Sequence, residues 1–316
     1  MSQTGQPRVS VVMGVYKEFR FLDAAVDSIL GQNFRDLELI IVDDGNQRDD
    51  LFSTLLARDP RLRLVSHPVN LGHAFALNTG IAAARAPIIA RMDQDDLALP
   101  GRIGLQYAAL MQDPGLGLVG SAVQQMDMEG TPGRIMPMPL TDVAIRWTML
   151  FHNPFYHPTV MFRRSLFDVA GGYRAGLVTT EDHFLWFDML PHGRMRNLGE
   201  TLLLYRMNPQ GMTASHAINP RARSHESREK LWVDIGLVYD LYDDDLAGVI
   251  SRFLRGHPVP PPWQTRAYAV LNRVLDAFLA AAPARKDAVT IADGQTLAKA
   301  LRDRMIVTLP RGQLAS

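Results

Sequence analysis

Three carboxylates fall within four residues in the run Arg91-Met92-Asp93-Gln94-Asp95-Asp96. Crowded negative charges repel one another, and at the end of an apolar strand they cost stability unless a cation compensates. Hard oxygen ligands of this kind suit magnesium or manganese, which often take one or two protein carboxylates and leave other positions to water and phosphate oxygens. A diphosphate leaving group needs that neutralisation. The same acids would also make a solvated turn before a helix starting at Asp96. A second acidic pair, Asp43-Asp44, precedes Gly45. Asp and Gly favour turns, yet a carboxylate here can accept the N3 hydrogen of a uracil ring while Tyr16 stacks on the base face, as flat heterocycles are commonly held. A third pair, Glu181-Asp182, opens a helical pattern, where first-turn acids are stabilised by the macrodipole without any further role.

These acids can act together only if the fold gathers them. The first hundred residues alternate short β-branched runs with helical patterns, which argues for a parallel sheet covered by crossover helices. Strands are expected at 9–13, 37–42, 62–66 and 88–92. Phe21, Leu22, Ala25, Val26, Ile29 and Leu30 recur at helical spacing before Gly31, and a small-residue helix is expected over 73–84. Ligands of open parallel sheets collect at the carboxyl ends of strands. Asp43 and Asp44 follow the second strand and Asp93, Asp95 and Asp96 the fourth, so both clusters belong on one edge.

Beyond Pro100 the pattern is mixed: a helix to about 112, a strand over 116–123, a Gly-, Pro- and Met-rich loop over 126–139, a strand at 159–162, helices at 164–170 and 181–190, and a strand at 201–207. From about Asn219 the chain reads as helical, is broken by His257-Pro258-Val259-Pro260-Pro261-Pro262, and resumes with Tyr268, Leu271, Leu275 and Phe278 at three-four spacing. Such spacing marks a helical cap packed on a core, or a homodimer contact through the C-terminal helices. The expected division is therefore a large α/β domain over 1–218, whose pattern changes at about 115, and a helical region over 219–316.

Of the 316 residues, 47% are hydrophobic and 21% charged, a globular composition. Lys plus Arg equal Asp plus Glu at 33 each, so no overall field attracts nucleic acid. With no cysteine, disulfides, thiolate metal sites and thiol nucleophiles are excluded. The polar start and the lack of a run of about 18 apolar residues lead us to expect a cytoplasmic protein, with peripheral association at the inner face of a membrane still compatible.

In combination, VSVVMGVY at 9–16, IVDDG at 41–45, NLGHAFALNTG at 70–80, IARMDQDD at 89–96, PGRIGLQ at 100–106 and Glu181-Asp182 closely resemble the inverting family 2 glycosyltransferases, over about 9–213. The resemblance implies an α/β fold of GT-A type, a Rossmann-like mixed sheet flanked by helices, with a catalytic domain over 1–218 made of a donor half to about 115 and an acceptor half over 116–218, and a C-terminal helical appendage over 219–316. It implies transfer of a sugar, hexosyl or N-acetylhexosaminyl, from a nucleotide diphosphate donor, usually a UDP-sugar, to a glycan or lipid-linked acceptor in surface polysaccharide synthesis. It further implies a divalent metal, manganese or magnesium, held at Asp95. Tyr16, Glu18, Asp43, Asn70, Arg91, Asp93 and Gln94 fall on the nucleotide-sugar side, and Asp182 matches the acceptor-activating base. His157, Glu181 and Trp186 fall among acceptor or positioning residues. One departure stands out: relatives carry a histidine shortly after the Tyr-Arg matched by Tyr205-Arg206, where this chain has Met207-Asn208-Pro209, with His216 further on. A dehydrogenase is disfavoured because Gly14-Val15-Tyr16-Lys17-Glu18 lacks G-x-G-x-x-G. The competing readings are a sugar nucleotidyltransferase and a silent nucleotide-sugar-binding scaffold.

Overall fold

The computed structural model describes residues 5–177, 180–209, 246, 249–250, 253, 258–281 and 288–308. The chain forms β1 (Val9–Val15), α1 (Leu22–Leu30), β2 (Leu37–Asp44), α2 (Asp49–Leu56), β3 (Leu62–His67), α3 (His73–Ala83), β4 (Ile88–Arg91), β5 (Leu97–Ala98), α4 (Arg102–Gln112), β6 (Leu116–Met126), β7 (Pro132–Met136), α5 (Asp142–Met149), β8 (Met161–Arg163), α6 (Arg164–Ala170), α7 (Glu181–Met189), β9 (Arg194–Arg206), α8 (Gln264–Ala281) and α9 (Ala288–Thr308).

The strands make one mixed sheet in the order β3-β2-β1-β4-β8-β6-β9-β5, with β7 paired to β6. Strands β3, β2, β1 and β4 are parallel, and β4 passes to β8 antiparallel. Strands β1 and β2 are buried at nearly every position, as expected of strands covered on both faces. The registers Val15 to Asp43 and Val12 to Arg91 bring the carboxyl ends of β1, β2 and β4 to a common edge. Helix α3 lies against β1 and β2, where a Cβ at Gly80 would sit 2.5 Å from a Val12 methyl. Glycine permits that approach.

Compact packing divides the chain into two units. One comprises 1–140 and 155–218; the other comprises 141–154 and 219–316. In the second unit α5 packs with α8 and α9: Trp147 meets the Phe278 ring edge-on at 5.5 Å, and Gly294 lies beside Val143. Among the described residues no helix is long and apolar enough to cross a membrane.

Several elements depart from the sequence reading. The expected loop at 126–139 contains β7, an exposed edge strand on which Pro132 is tolerated. Thr159 closes a 3-10 turn over His157–Thr159, so the strand after it begins only at Met161. The expected strand at 201–207 starts earlier, at Arg194, and helices α2 and α5 and the short β5 are additional. His216 and the 219–245 segment lie outside the described residues.

Candidate active site

At the ends of β1 and β2 the chain builds a small cradle. Tyr16 is 41% exposed, while Asp43 beside it is buried. Asn46 joins them: its backbone N–H donates to Asp43 Oδ1 at 2.9 Å, its Nδ2 donates to the Val15 carbonyl at 2.9 Å, and its Oδ1 accepts from the Lys17 N–H at 2.6 Å. The Lys17 ammonium lies 4.8 Å from the Tyr16 ring centroid. Sequence reasoning passed over Asn46, although an Asn after Asp-Asp-Gly is a turn-former whose amide bonds to nearby backbone.

Asp44 has a different task from its neighbour. Its carboxylate accepts from His67 Nδ1 at 2.7 Å and from Asn70 Nδ2, Leu71 N–H and Gly72 N–H at 2.9 Å each. His67 in turn meets Thr79 Oγ1 at 3.0 Å. Gly45, at φ +81°, allows the 69–72 loop against it, since a Cβ there would lie 2.3 Å from the Val69 carbonyl carbon. Asn70, expected on the nucleotide-sugar side, spends its amide on fixing this loop.

Gln94 and Glu18 likewise stand beside the cradle rather than open to it. The Gln94 side chain accepts from the Tyr16 N–H at 2.8 Å and donates to the Glu18 carbonyl, and the Glu18 carboxylate accepts from the Arg20 N–H at 3.0 Å. Gln94 thereby ties the loop after β1 to the acidic loop after β4.

In that acidic loop, one carboxylate oxygen from each of Asp93, Asp95 and Asp96 lies within 4.8 Å of the others. Asp96 is buried: one oxygen accepts from the Arg206 N–H at 2.8 Å and the other has no protein partner. Burial, and then the charge of Asp93, pushes Asp95 up to about 6; the same two causes, joined by Asp95, raise Asp96 well above the ordinary carboxylate range. An orphaned buried oxygen and this accumulation of unmet negative charge fit a hard divalent cation with oxygen ligands. The Asn208 side chain hydrogen-bonds to Asp95.

Two arginines hold the loop from behind. Fully buried Arg102 on α4 donates to the Arg91 carbonyl at 2.6 Å. Arg206, at the end of β9, donates to the carbonyls of Asp95, Asp127 and Met128 at 2.8, 3.0 and 3.1 Å, and its guanidinium lies 3.9 Å from the Phe21 ring centroid. Neither was singled out as a site residue from sequence.

Arg91 links this loop to a second polar group. Its guanidinium is buried, pairs with Asp93, and donates from Nη2 to His73 Nε2 at 2.7 Å. The ring nitrogens of His73 and His157 and a carboxylate oxygen of Glu181 lie within 4.8 Å of one another. His157 Nε2 meets the Tyr173 hydroxyl at 2.7 Å, and its ring packs edge-on to Trp186 at 5.8 Å. Gln106 on α4 secures the His157 turn by donating to the Thr159 carbonyl at 2.6 Å, and Asn78 on α3 bonds both backbone groups of Tyr173. Glu181 and Asp182 occupy the first turn of α7; Glu181 is buried and Asp182 half-buried, with Asp182 Oδ1 accepting from the His183 N–H at 2.7 Å. Burial, then the charge of Asp182, raises Glu181 to about 7. Of this group, His73 and Tyr173 were not picked out from sequence; a histidine opening a helix and a Gly-Gly-Tyr turn carry no signal that they meet.

A parallel first half joined through β4 and β8 to a mixed second half is the architecture of the GT-A glycosyltransferases. S. aureus TarS 1-349 in complex with UDP-GlcNAc superposes with a TM-score of 0.57 at 17% identity, covering 95% of this chain and 89% of that one. The mannosyltransferase PcManGT from Pyrobaculum calidifontis, solved with GDP-Man and Mn2+, gives 0.54 at 19% identity, over 96% of this chain and 86% of that one. By sequence the chain belongs to glycosyl transferase family 2, whose model matches residues 10–171. It is 32% identical over 230 residues to the O-antigen biosynthesis glycosyltransferase WbnJ of Escherichia coli, covering 71% of this chain and 89% of that protein. It is 31% identical over 252 residues to the amylovoran biosynthesis glycosyltransferase AmsE of Erwinia amylovora, covering 78% and 89%.

Proposed function

We propose that this chain transfers a hexosyl or N-acetylhexosaminyl group from a nucleotide diphosphate sugar, in the first place a UDP-sugar, to a hydroxyl of a glycan or lipid-linked acceptor, with inversion at the anomeric carbon. The names of WbnJ and AmsE favour a surface polysaccharide as the product class. Work at the inner face of the membrane would suit a lipid-linked acceptor. The 219–316 region governs acceptor access or self-association, because every donor motif precedes it. The single observation that carries the reading is geometric: Arg91 pairs with Asp93 and donates to His73, whose ring nitrogen lies within 4.8 Å of His157 and Glu181, so one buried side chain links the acidic loop to the start of α7.

Tyr16 and Asp43 take the base, and Asp93 faces the ribose. Asp95 would hold a manganese or magnesium ion, which would supply positive charge at the departing diphosphate. Asp182 takes the proton of the acceptor hydroxyl as its oxygen bonds to the anomeric carbon and the bond to the β-phosphate oxygen breaks. Glu181, buried beside it, positions the sugar.

Two variants test this. Asp95→Asn should abolish the manganese-dependent rise in melting temperature given by a UDP-sugar. Asp182→Asn should leave that rise in place while transfer falls roughly 100-fold. A wild-type rate in excess chelator, or a product that retains the donor's anomeric configuration, would overturn the proposal.

A further inference from the structure

The buried group formed by His73, His157, Tyr173, Glu181 and Trp186 is polar, yet its hydrogen bonds are incomplete. The Glu181 Oε2 and the Trp186 indole N–H are both buried with no protein partner. Buried polar atoms are seldom left unpaired unless a ligand or water meets them. The nitrogens of His73 and His157 and the Glu181 oxygen converge within 4.8 Å of one another, close enough to meet one small polar ligand together.

The group stands one side chain beyond the acidic loop. Arg91 pairs with Asp93 on one side and donates to His73 on the other. With Asp93 facing the ribose and the diphosphate held at Asp95, the sugar joined to that diphosphate would lie where Arg91 leads.

The chemistry of the group is that of neutral donors and acceptors. Because His73 Nε2 accepts from Arg91, its proton sits on Nδ1 and the ring is uncharged; burial, and then the Arg91 charge, lowers it to about 4. Burial likewise pushes His157 well down and Tyr173 well up, which keeps both uncharged at neutral pH. Arg91, the cation that acts on Glu181 and Tyr173, pairs with Asp93 and donates from Nη2 to His73, while its Nε is buried with no protein partner. A carboxylate on the incoming sugar would add a further negative charge beside Asp93, Asp182 and Glu181, set against the single positive charge of Arg91, which is costly in a buried place.

We infer that His73, His157 and Glu181, with Trp186 alongside, form the subsite that reads the donor's sugar ring, and that it takes an uncharged hexose and rejects a uronate. The inference rests on the donor reading above and narrows it to a substrate class.

The test is equilibrium binding to the full chain with manganese. UDP, UDP-glucose, UDP-galactose, UDP-GlcNAc and UDP-glucuronate are compared, with GDP and GDP-mannose alongside. UDP-glucuronate should bind about tenfold or more weakly than the best uncharged UDP-hexose. His157→Phe, which keeps the ring packing but removes both ring nitrogens, should weaken binding of that hexose nucleotide about tenfold. Equal or tighter binding of UDP-glucuronate overturns the subsite, and so does full affinity in a folded His157→Phe. If neither UDP nor GDP, free or sugar-linked, binds at all, the donor reading itself falls, an outcome distinct from losing only the discrimination.

Discussion

Replacing Glu181 by glutamine removes a buried charge while keeping the side chain's shape, and its effect on stability depends on pH in an unusual direction for a carboxylate. Glu181 is 5% exposed. Burial, and then the neighbouring Asp182, raises it from the ordinary 4.5 to about 7. In the folded protein it therefore holds a proton that the unfolded chain has already lost between those values. The folded state binds more protons there, so stability falls as pH rises. The contribution is fully present below about 4.5 and gone once pH has passed through about 7. At about 1.4 kcal/mol for each tenfold change in proton affinity, the loss between pH 5 and pH 8 is about 2 to 3 kcal/mol. Urea unfolding in chelator at several pH values, followed by far-ultraviolet circular dichroism, measures it for the wild type and for Glu181→Gln. The two should be close at pH 5, and the glutamine variant should be the more stable at pH 8 by roughly that amount. A difference that does not change with pH, or one that grows in the wild type's favour as pH rises, would refute the reasoning.

Asp44→Ala strips the acceptor from His67, Asn70 and the N–H groups of Leu71 and Gly72 at once. It should cost on the order of 3 to 5 kcal/mol in urea unfolding, well above the cost of a turn residue exposed to solvent. Asn208→Ala removes the amide that hydrogen-bonds to Asp95. Manganese titration by electron paramagnetic resonance should show affinity falling several-fold, on the order of 1 kcal/mol, and an unchanged affinity would remove Asn208 from the metal's surroundings. Asp43→Ala should weaken UDP binding in calorimetry by about 1.5 to 3 kcal/mol, the value of a charge-assisted contact.

What is legible in the sequence and what is not divides along a physical line. Strands β1, β2 and β4 carry their burial in mainly apolar runs, interrupted only by Ser10 in β1 and Glu38 in β2 before the acids begin, and the carboxylates that follow are placed by chain direction alone, so the sequence pattern by itself assigns Asp43 and the acidic loop to the correct edge of the sheet. Helix α5 shows the opposite case. In DVAIRWTM the residues Val143, Ile145, Trp147 and Met149 alternate as in a strand, and all four are buried, yet the segment is a helix. It is covered on more than one side, with Trp147 against Phe151 and Phe278, so a single apolar stripe at helical period never develops. Within the site, the same limit applies to residues rather than elements. Asp44 follows the same strand as Asp43 and has the same chemistry, and only the return of the 69–72 loop turns it into a structural anchor. His73 and His157 are 84 positions apart in sequence, and what joins them is the order β1-β4-β8, which sets the turn before β8 against the strand that ends in Arg91. Residue type announces which groups can do chemistry; the strand order decides which of them do it together.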